Sequence, residues 1–142
     1  MATSRPAPTP AAVRAARRPA VLLFAYGTLM RGFALHRWLQ GAATFLGEGT
    51  VRGVLLSLGR YPGLVEGPGR VRGELYRLHD PELLAVLDRQ EGYHFERRRV
   101  QVTLADGRRR RAWLYRYRGP RERAVPIPAG DWRRRWSRVP PS

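Results

Sequence analysis

The chain has 142 residues and a formal net charge of +16, carried by 27 basic residues that are all arginine, and it contains no cysteine. This length supports one domain with its own hydrophobic core; the missing thiols exclude a disulfide framework, a thiolate zinc site and a cysteine nucleophile. So large a charge fits a polyanionic partner, but the complete absence of lysine points instead to the coding bias of a GC-rich genome, so nucleic acid is not the expected partner.

In chain order, residues 1–19 (MATSRPAPTPAAVRAARRP) hold Pro, Ala and Arg, no acid and no apolar period. They predict a disordered basic tail. Arg17-Arg18 ahead of AVLLFAYGTLM imitates a secretory signal, yet no clean small-residue cleavage site follows, and a run of about 11 apolar residues is too short to span a bilayer. The expected location is cytoplasmic, with no membrane contact. Val21–Tyr26 (VLLFAY) is continuously apolar, as a strand buried on both faces would be, and Gly27 ends it. Phe33–Gln40 predicts one or two helical turns. Strands are expected over Ala43–Glu48 and Thr50–Leu58, with turn signals at Tyr61-Pro62-Gly63 and Gly67-Pro68-Gly69. Val71–Leu78 predicts another strand, followed by a helix. Arg97–Leu104 and Arg110–Tyr117 then form a hairpin around Ala105-Asp106-Gly107. Five or six strands and one or two short helices define an α+β domain over residues 20–132, a small, partly closed mixed β-barrel. Residues 133–142 predict a second basic tail.

The helix carries the strongest chemical signal. Asp80 can cap free backbone N–H groups, Pro81 suits the first helical position, and Gly92 suits the terminus. Leu84, Leu87, Asp88 and Glu91 fall at i, i+3, i+4 and i+7, one face of a helix. The inward stripe therefore runs from leucines into carboxylate. A glutamate there is either paired with an arginine or held partly buried with a raised pKa, and the second state suits a proton shuttle at neutral pH. Asp88 is expected to be structural, bonding a backbone group or an arginine.

The turn after the first strand, FAYGTLM (Phe24–Met30), is the second signal. Glycine there permits a positive φ or the close approach of a ligand. Successive N–H groups of such a turn can form a small anion cup able to hold a carboxylate or a developing oxyanion. Neither GxGxxG nor GxxxxGK[ST] occurs. Ser4, Ser57, Ser137 and Ser142 lie in no nucleophile elbow, and His36, His79 and His94 lack metal-ligand spacing. An enzyme of this composition is expected to need no metal and no cofactor, working through one acid–base residue on a substrate that brings its own nucleophile.

With these residues in place, the chain resembles the γ-glutamylcyclotransferase-like, or AIG2-like, family. YGTLMRG (Tyr26–Gly32), LGRYPGLV (Leu58–Val65), VRGELYRL (Val71–Leu78), LDRQEGY (Leu87–Tyr93), RRRVQV (Arg97–Val102), AWLYRY (Ala112–Tyr117) and IPAGDW (Ile127–Trp132) occur in the family's order, over about residues 21–132. The resemblance implies a β-barrel with flanking helices and an enzyme that cyclises a small γ-glutamyl amide or amine to 5-oxoproline and a free amine. It implies substrate binding by Tyr26, Gly27, Thr28 and Leu29, and acid–base catalysis by Glu91. The chain departs from the family at Phe95, where a tyrosine is expected; Tyr93, Tyr115 or Tyr117 could supply the missing hydroxyl, and Tyr115 is the favoured substitute. A monomer or homodimer is expected. The alternative is a binding module on the same scaffold, for small γ-glutamyl ligands or for nucleic acid through Arg97–Arg99, Arg108–Arg111 and Arg133–Arg135.

Overall fold

A computed structural model describes residues 7, 9–10 and 20–137. The rest of the tail expected over residues 1–19, and residues 138–142 of the tail expected at the other end, lie outside the described residues.

Strand β1 (Leu22–Ala25) is followed by a 3₁₀ turn (Ala34–Trp38) and by two long strands, β2 (Ala43–Ser57) and β3 (Pro62–Leu78). Helix α1 (Leu83–Glu91), strands β4 (Phe95–Leu104), β5 (Arg109–Tyr117) and β6 (Val125–Pro126), and helix α2 (Trp132–Ser137) complete the chain. β1 pairs with β3, β3 with β2, β2 with β4, β4 with β5, and β5 returns to β1 through a parallel bridge. These pairings close a five-stranded barrel, with β6 on the outer edge of β2. Closure removes the free sheet edges. The barrel is thus closed, not partly open. β1 is buried at every position because strands cover both its edges and the barrel covers one face.

The expected break between Ala43–Glu48 and Thr50–Leu58 does not occur. β2 runs through it and changes register between Phe45 and Gly47 and again between Arg52 and Val54. Gly47 and Gly53, at φ of 143° and 156°, mark bulges that bend one strand around the barrel. Gly67-Pro68-Gly69 is likewise no chain reversal. β3 extends back to Pro62, and residues 66–69 bulge out where Arg52 pairs with Arg70 and Val54 with Val65. Pro68, which has no N–H to donate, costs no ladder bond in that bulge.

α1 lays Leu84 and Leu87 on the barrel, and Leu87 is fully buried. Its regular turns begin at Leu83, two residues after Pro81, although Asp80 does accept the Glu82 N–H at 2.9 Å as a capping residue should. Gly92, at φ 81°, ends it. The chain beyond β5 then straps the barrel. Ile127 N–H donates to Leu55 O at 2.8 Å, Arg72 N–H donates to Gly130 O at 2.7 Å, and Trp132 is completely buried. Arg133 to Ser137, expected in the basic tail, continue as α2. Among the described residues, no helix is long and apolar enough to cross a membrane.

Candidate active site

A cavity of about 490 Å³ opens at one end of the barrel. Three segments build it: the turn after β1, the turn that joins β2 to β3, and the chain leaving α1. Its floor is Phe24, Ala25, Tyr26, Leu29 and Tyr115, all buried. Its mouth carries Arg60, Tyr61, Gln90 and Tyr93, all exposed.

The turn after β1 is held from several sides. Met30 N–H donates to Gly27 O at 3.0 Å, Leu35 N–H donates to Thr28 O at 2.9 Å, and His36 Nδ1 lies 2.9 Å from Leu29 O. The Gly27 carbonyl is thus taken within the turn itself, and those of Thr28 and Leu29 are met by residues of the 3₁₀ turn. Their N–H groups, by contrast, have no protein acceptor among the described residues. All three residues line the cavity, so the turn carries the donors that an anion cup requires. Gly27 serves it through close approach, not through a positive φ: its φ is ordinary, and a Cβ there would lie 2.5 Å from Pro62 Cγ. Gly27→Ala must push the turn off Pro62. We expect it to cost about 1–3 kcal/mol, read as a lower midpoint in urea unfolding.

Tyr26 lines the same floor, but its hydroxyl is used internally. It donates to Tyr115 O and accepts the Leu64 N–H at 3.2 Å. The phenol joins β1, β3 and β5 and leaves its ring for the cavity.

Glu91, the last residue of α1, lines the same cavity as the turn. No hydrogen bond or ion pair reaches its carboxyl among the described residues. Of the two states the helical stripe allowed, the arginine-paired one is therefore not found. Burial alone pushes its pKa from the ordinary 4.5 up to about 7, because a low-polarity surrounding penalises the carboxylate and nothing repays it. The group can thus hold or release a proton near neutrality.

Asp88, one turn earlier, is occupied. It accepts the Tyr115 hydroxyl at 2.7 Å and lies 3.2 Å from Arg97 Nε. Tyr115 lines the cavity with its ring while its hydroxyl ties β5 to α1. Burial, and then the bond to Asp88, push that hydroxyl's pKa well up, so it stays a donor. The hydroxyl expected near position 95 is not restored at Glu91 by any candidate. Tyr115 is bonded to Asp88, Tyr117 to Pro120 O, and Tyr93 is 83% exposed with its ring 4.3 Å from that of His94. Phe95 itself lines the cavity.

Two features escaped the sequence reading. Tyr61-Pro62-Gly63 read as a turn signal and Arg60 only as part of LGRYPGLV, yet Arg60, Tyr61 and Pro62 all line the cavity. Glu74 is 2% exposed and binds the other end of the turn after β1. It accepts Arg31 N–H at 2.8 Å, Arg31 Nε at 2.9 Å and the Tyr76 hydroxyl at 3.0 Å, and Arg133 Nη2 lies 3.5 Å away. Alternation gives no warning of it: Glu74 shares a face with the exposed Arg72, opposite Val71 and Leu75, and is buried only because Arg31, Tyr76 and Arg133 gather over it. The arginine runs at 97–99 and 108–111 do not line the cavity. Arg97 and Arg99 stack on Trp113, Arg98 pairs with Glu96, and Arg108 pairs with Asp106.

Comparison with known proteins adds kinship to this geometry. Residues 23–134 match the model of the family described as gamma-glutamyl cyclotransferase, AIG2-like. A gamma-glutamylcyclotransferase family protein, YtfP of Citrobacter rodentium, is 37% identical over 113 residues, covering 78% of this chain and 93% of its own. Among solved structures, an uncharacterized protein from Pyrococcus horikoshii superposes with a TM-score of 0.66 at 30% identity, over 82% of this chain and 93% of that one. An AIG2-like protein from Mus musculus does so with a TM-score of 0.65 at 27% identity, over 74% of this chain and 82% of that one.

Proposed function

The chain belongs to the gamma-glutamyl cyclotransferase, AIG2-like family, and from that premise we propose that it cyclises a γ-glutamyl amide or amine to 5-oxoproline and a free amine, with Glu91 as acid and base. The observation that carries the reading is Glu91: an unpaired carboxyl poised near pH 7, lining the same cavity as the open N–H groups of Gly27, Thr28 and Leu29.

The steps follow from those groups. The substrate's α-ammonium gives a proton to the Glu91 carboxylate, and the freed amine attacks the γ-carbonyl carbon of the same molecule. The oxygen of the tetrahedral intermediate accepts from the N–H groups of residues 27–29. The bond from the γ-carbon to the departing nitrogen then breaks. Two protons pass from the α-nitrogen to that nitrogen, carried one at a time by Glu91, so the amine leaves as an ammonium and no water is consumed. Nucleophile and electrophile share one molecule, so the pocket needs only to fold it into an attack conformer. Well-oriented intramolecular reactions reach effective molarities of about 10⁵–10⁸ M. The rings of Tyr26 and Tyr115 supply walls for that fold.

The test is incubation with a panel of γ-glutamyl amides and chromatographic scoring of 5-oxoproline. We expect release, with kcat/KM climbing as pH rises through about 7, the value of the Glu91 carboxyl in the folded protein. A panel that yields no 5-oxoproline, or a profile flat from pH 5 to 8, defeats the reading.

A further inference from the structure

We propose that Arg133, on the strap that crosses the barrel after β6, is a positioning residue for the reaction: its guanidinium fixes the peptide between Arg31 and Gly32, and so holds in place the turn that carries the N–H groups of residues 27–29. This rests on the cyclisation proposed above and adds to its machinery a residue that lies outside the cavity lining.

The segment after β1 is two tight turns in series. Met30 N–H closes the first on Gly27 O at 3.0 Å, and Phe33 N–H closes the second on Met30 O at 3.1 Å. The first carries the donors. The second has Gly32 in its third position at φ 89°, the value of a type II turn. Types I and II differ by a flip of the central peptide, here the one joining Arg31 to Gly32. Glycine populates both signs of φ, so it offers little resistance to that flip. The ends of the turn are tied, because Arg31 N–H donates to Glu74 at 2.8 Å. The flipping peptide itself is held through its carbonyl, Arg31 O, which accepts from Arg133 Nη2. That contact selects the form of the second turn, and the second turn is the footing of the first.

Arg133 is well placed to do this. Arg72 N–H donates to Gly130 O at 2.7 Å and Trp132 is completely buried, so the strap is fixed on β3 just before it. Its guanidinium carbon lies 5.1 Å from the centre of the Phe33 ring, and its Nη2 lies 3.5 Å from Glu74 Oε2. It therefore touches the second turn at Arg31 and Phe33 and the acid that anchors it. Arg133 also lines a second hollow of about 280 Å³, together with Met30 and Glu74. Residues 27–29 line the first cavity and Met30 lines the second, so a contact made in the hollow acts on the segment that builds the site.

Oxyanion donors serve the transition state more than the bound substrate, so the loss should fall on kcat. In Arg133→Ala, assayed well below its melting temperature, we expect kcat to fall about tenfold with KM unchanged within about twofold; a displaced donor costs less than the roughly 10²–10³-fold lost when one is removed. Arg133→Lys keeps the charge without the fork and should recover part of the rate. Guanidinium chloride, too dilute to denature, should raise kcat of Arg133→Ala several-fold by filling the vacated place beside Glu74. A gain no larger than that from sodium chloride at equal ionic strength overturns the proposal, as do a native kcat in Arg133→Ala and a loss that falls on KM alone. Amide hydrogen exchange supplies a readout that needs no turnover. The Met30 and Phe33 amides should lose protection in Arg133→Ala while the amides bonded between β4 and β5 keep theirs. Unchanged protection at Met30 and Phe33 overturns the proposal, and so does a loss that spreads to β4 and β5, which would make Arg133 a residue of general stability. If the native protein releases no 5-oxoproline, the cyclisation fails and exchange alone decides whether Arg133 holds the turn.

Discussion

Glu91→Gln is expected to lower 5-oxoproline release by about 10²–10⁴-fold, the usual contribution of a general acid–base residue, and to leave the barrel intact. The side chain keeps its size and its place in the cavity wall and loses only the ability to take and return a proton. The loss should fall on kcat more than on KM, since the γ-glutamyl part still meets the walls and the N–H groups of residues 27–29. Turnover by the variant at the native rate would sink the assignment.

The same substitution carries a second, opposite effect. The folded-state pKa of Glu91, about 7, lies above its ordinary 4.5, so between those values the folded chain holds a proton that the unfolded chain has released. Stability from this group is therefore full below about pH 4.5, declines as pH rises to about 7, and stays low above it. Glutamine escapes that penalty. We expect Glu91→Gln to match the native protein in thermal unfolding at pH 4 and to exceed it at pH 8 by about 1–2 kcal/mol, a figure reduced for the partial exposure of the group. A site that gains stability when its chemistry is removed is storing strain for function. Equal melting temperatures at pH 8 would show that Glu91 is solvated.

Glu74→Ala is expected to cost about 2–3 kcal/mol, roughly a 10 °C fall in melting temperature. Alanine leaves the Arg31 amide and the Tyr76 hydroxyl without their acceptor inside the barrel wall. The cost stays below that of a fully buried ion pair, because the Arg31 and Arg133 side chains are about half exposed, at 51% and 47%, and can return to water. Glu74→Gln keeps an acceptor for the amide and the hydroxyl and should fall between the native protein and Glu74→Ala. Since Arg31 follows directly on the turn that lines the cavity, turnover should drop along with stability. A melting temperature for Glu74→Ala within 2 °C of native would show that the cluster contributes little.

The local chemistry of single segments was legible in the residues. VLLFAY could be little but a buried strand, Ala105-Asp106-Gly107 joins β4 to β5 as a hairpin dipeptide should, and Asp80 and Gly92 bracket α1. The seven ordered motifs identified the family and, through it, the barrel. The glycines misled where one residue type serves two ends. Gly49, Gly67 and Gly69 looked like breaks, yet each sits inside a long strand, where a Cβ would lie within 3 Å of atoms of the facing strand.

What only the tertiary structure decided was where the helix points and what shares the cavity with its end. Periodicity placed Glu91 on the inward face of α1, but paired and unpaired states were equally consistent with it, because pairing depends on the neighbours that the fold brings up. Those neighbours come from segments about 30 and 60 residues away, at Tyr61-Pro62 and Gly27–Leu29. Arg97 is taken by Asp88 and Arg31 by Glu74, so in a chain with 27 arginines no guanidinium pairs with Glu91 among the described residues. Burial without a counter-charge is what sets its pKa, and burial belongs to the packed barrel, not to the order of its residues.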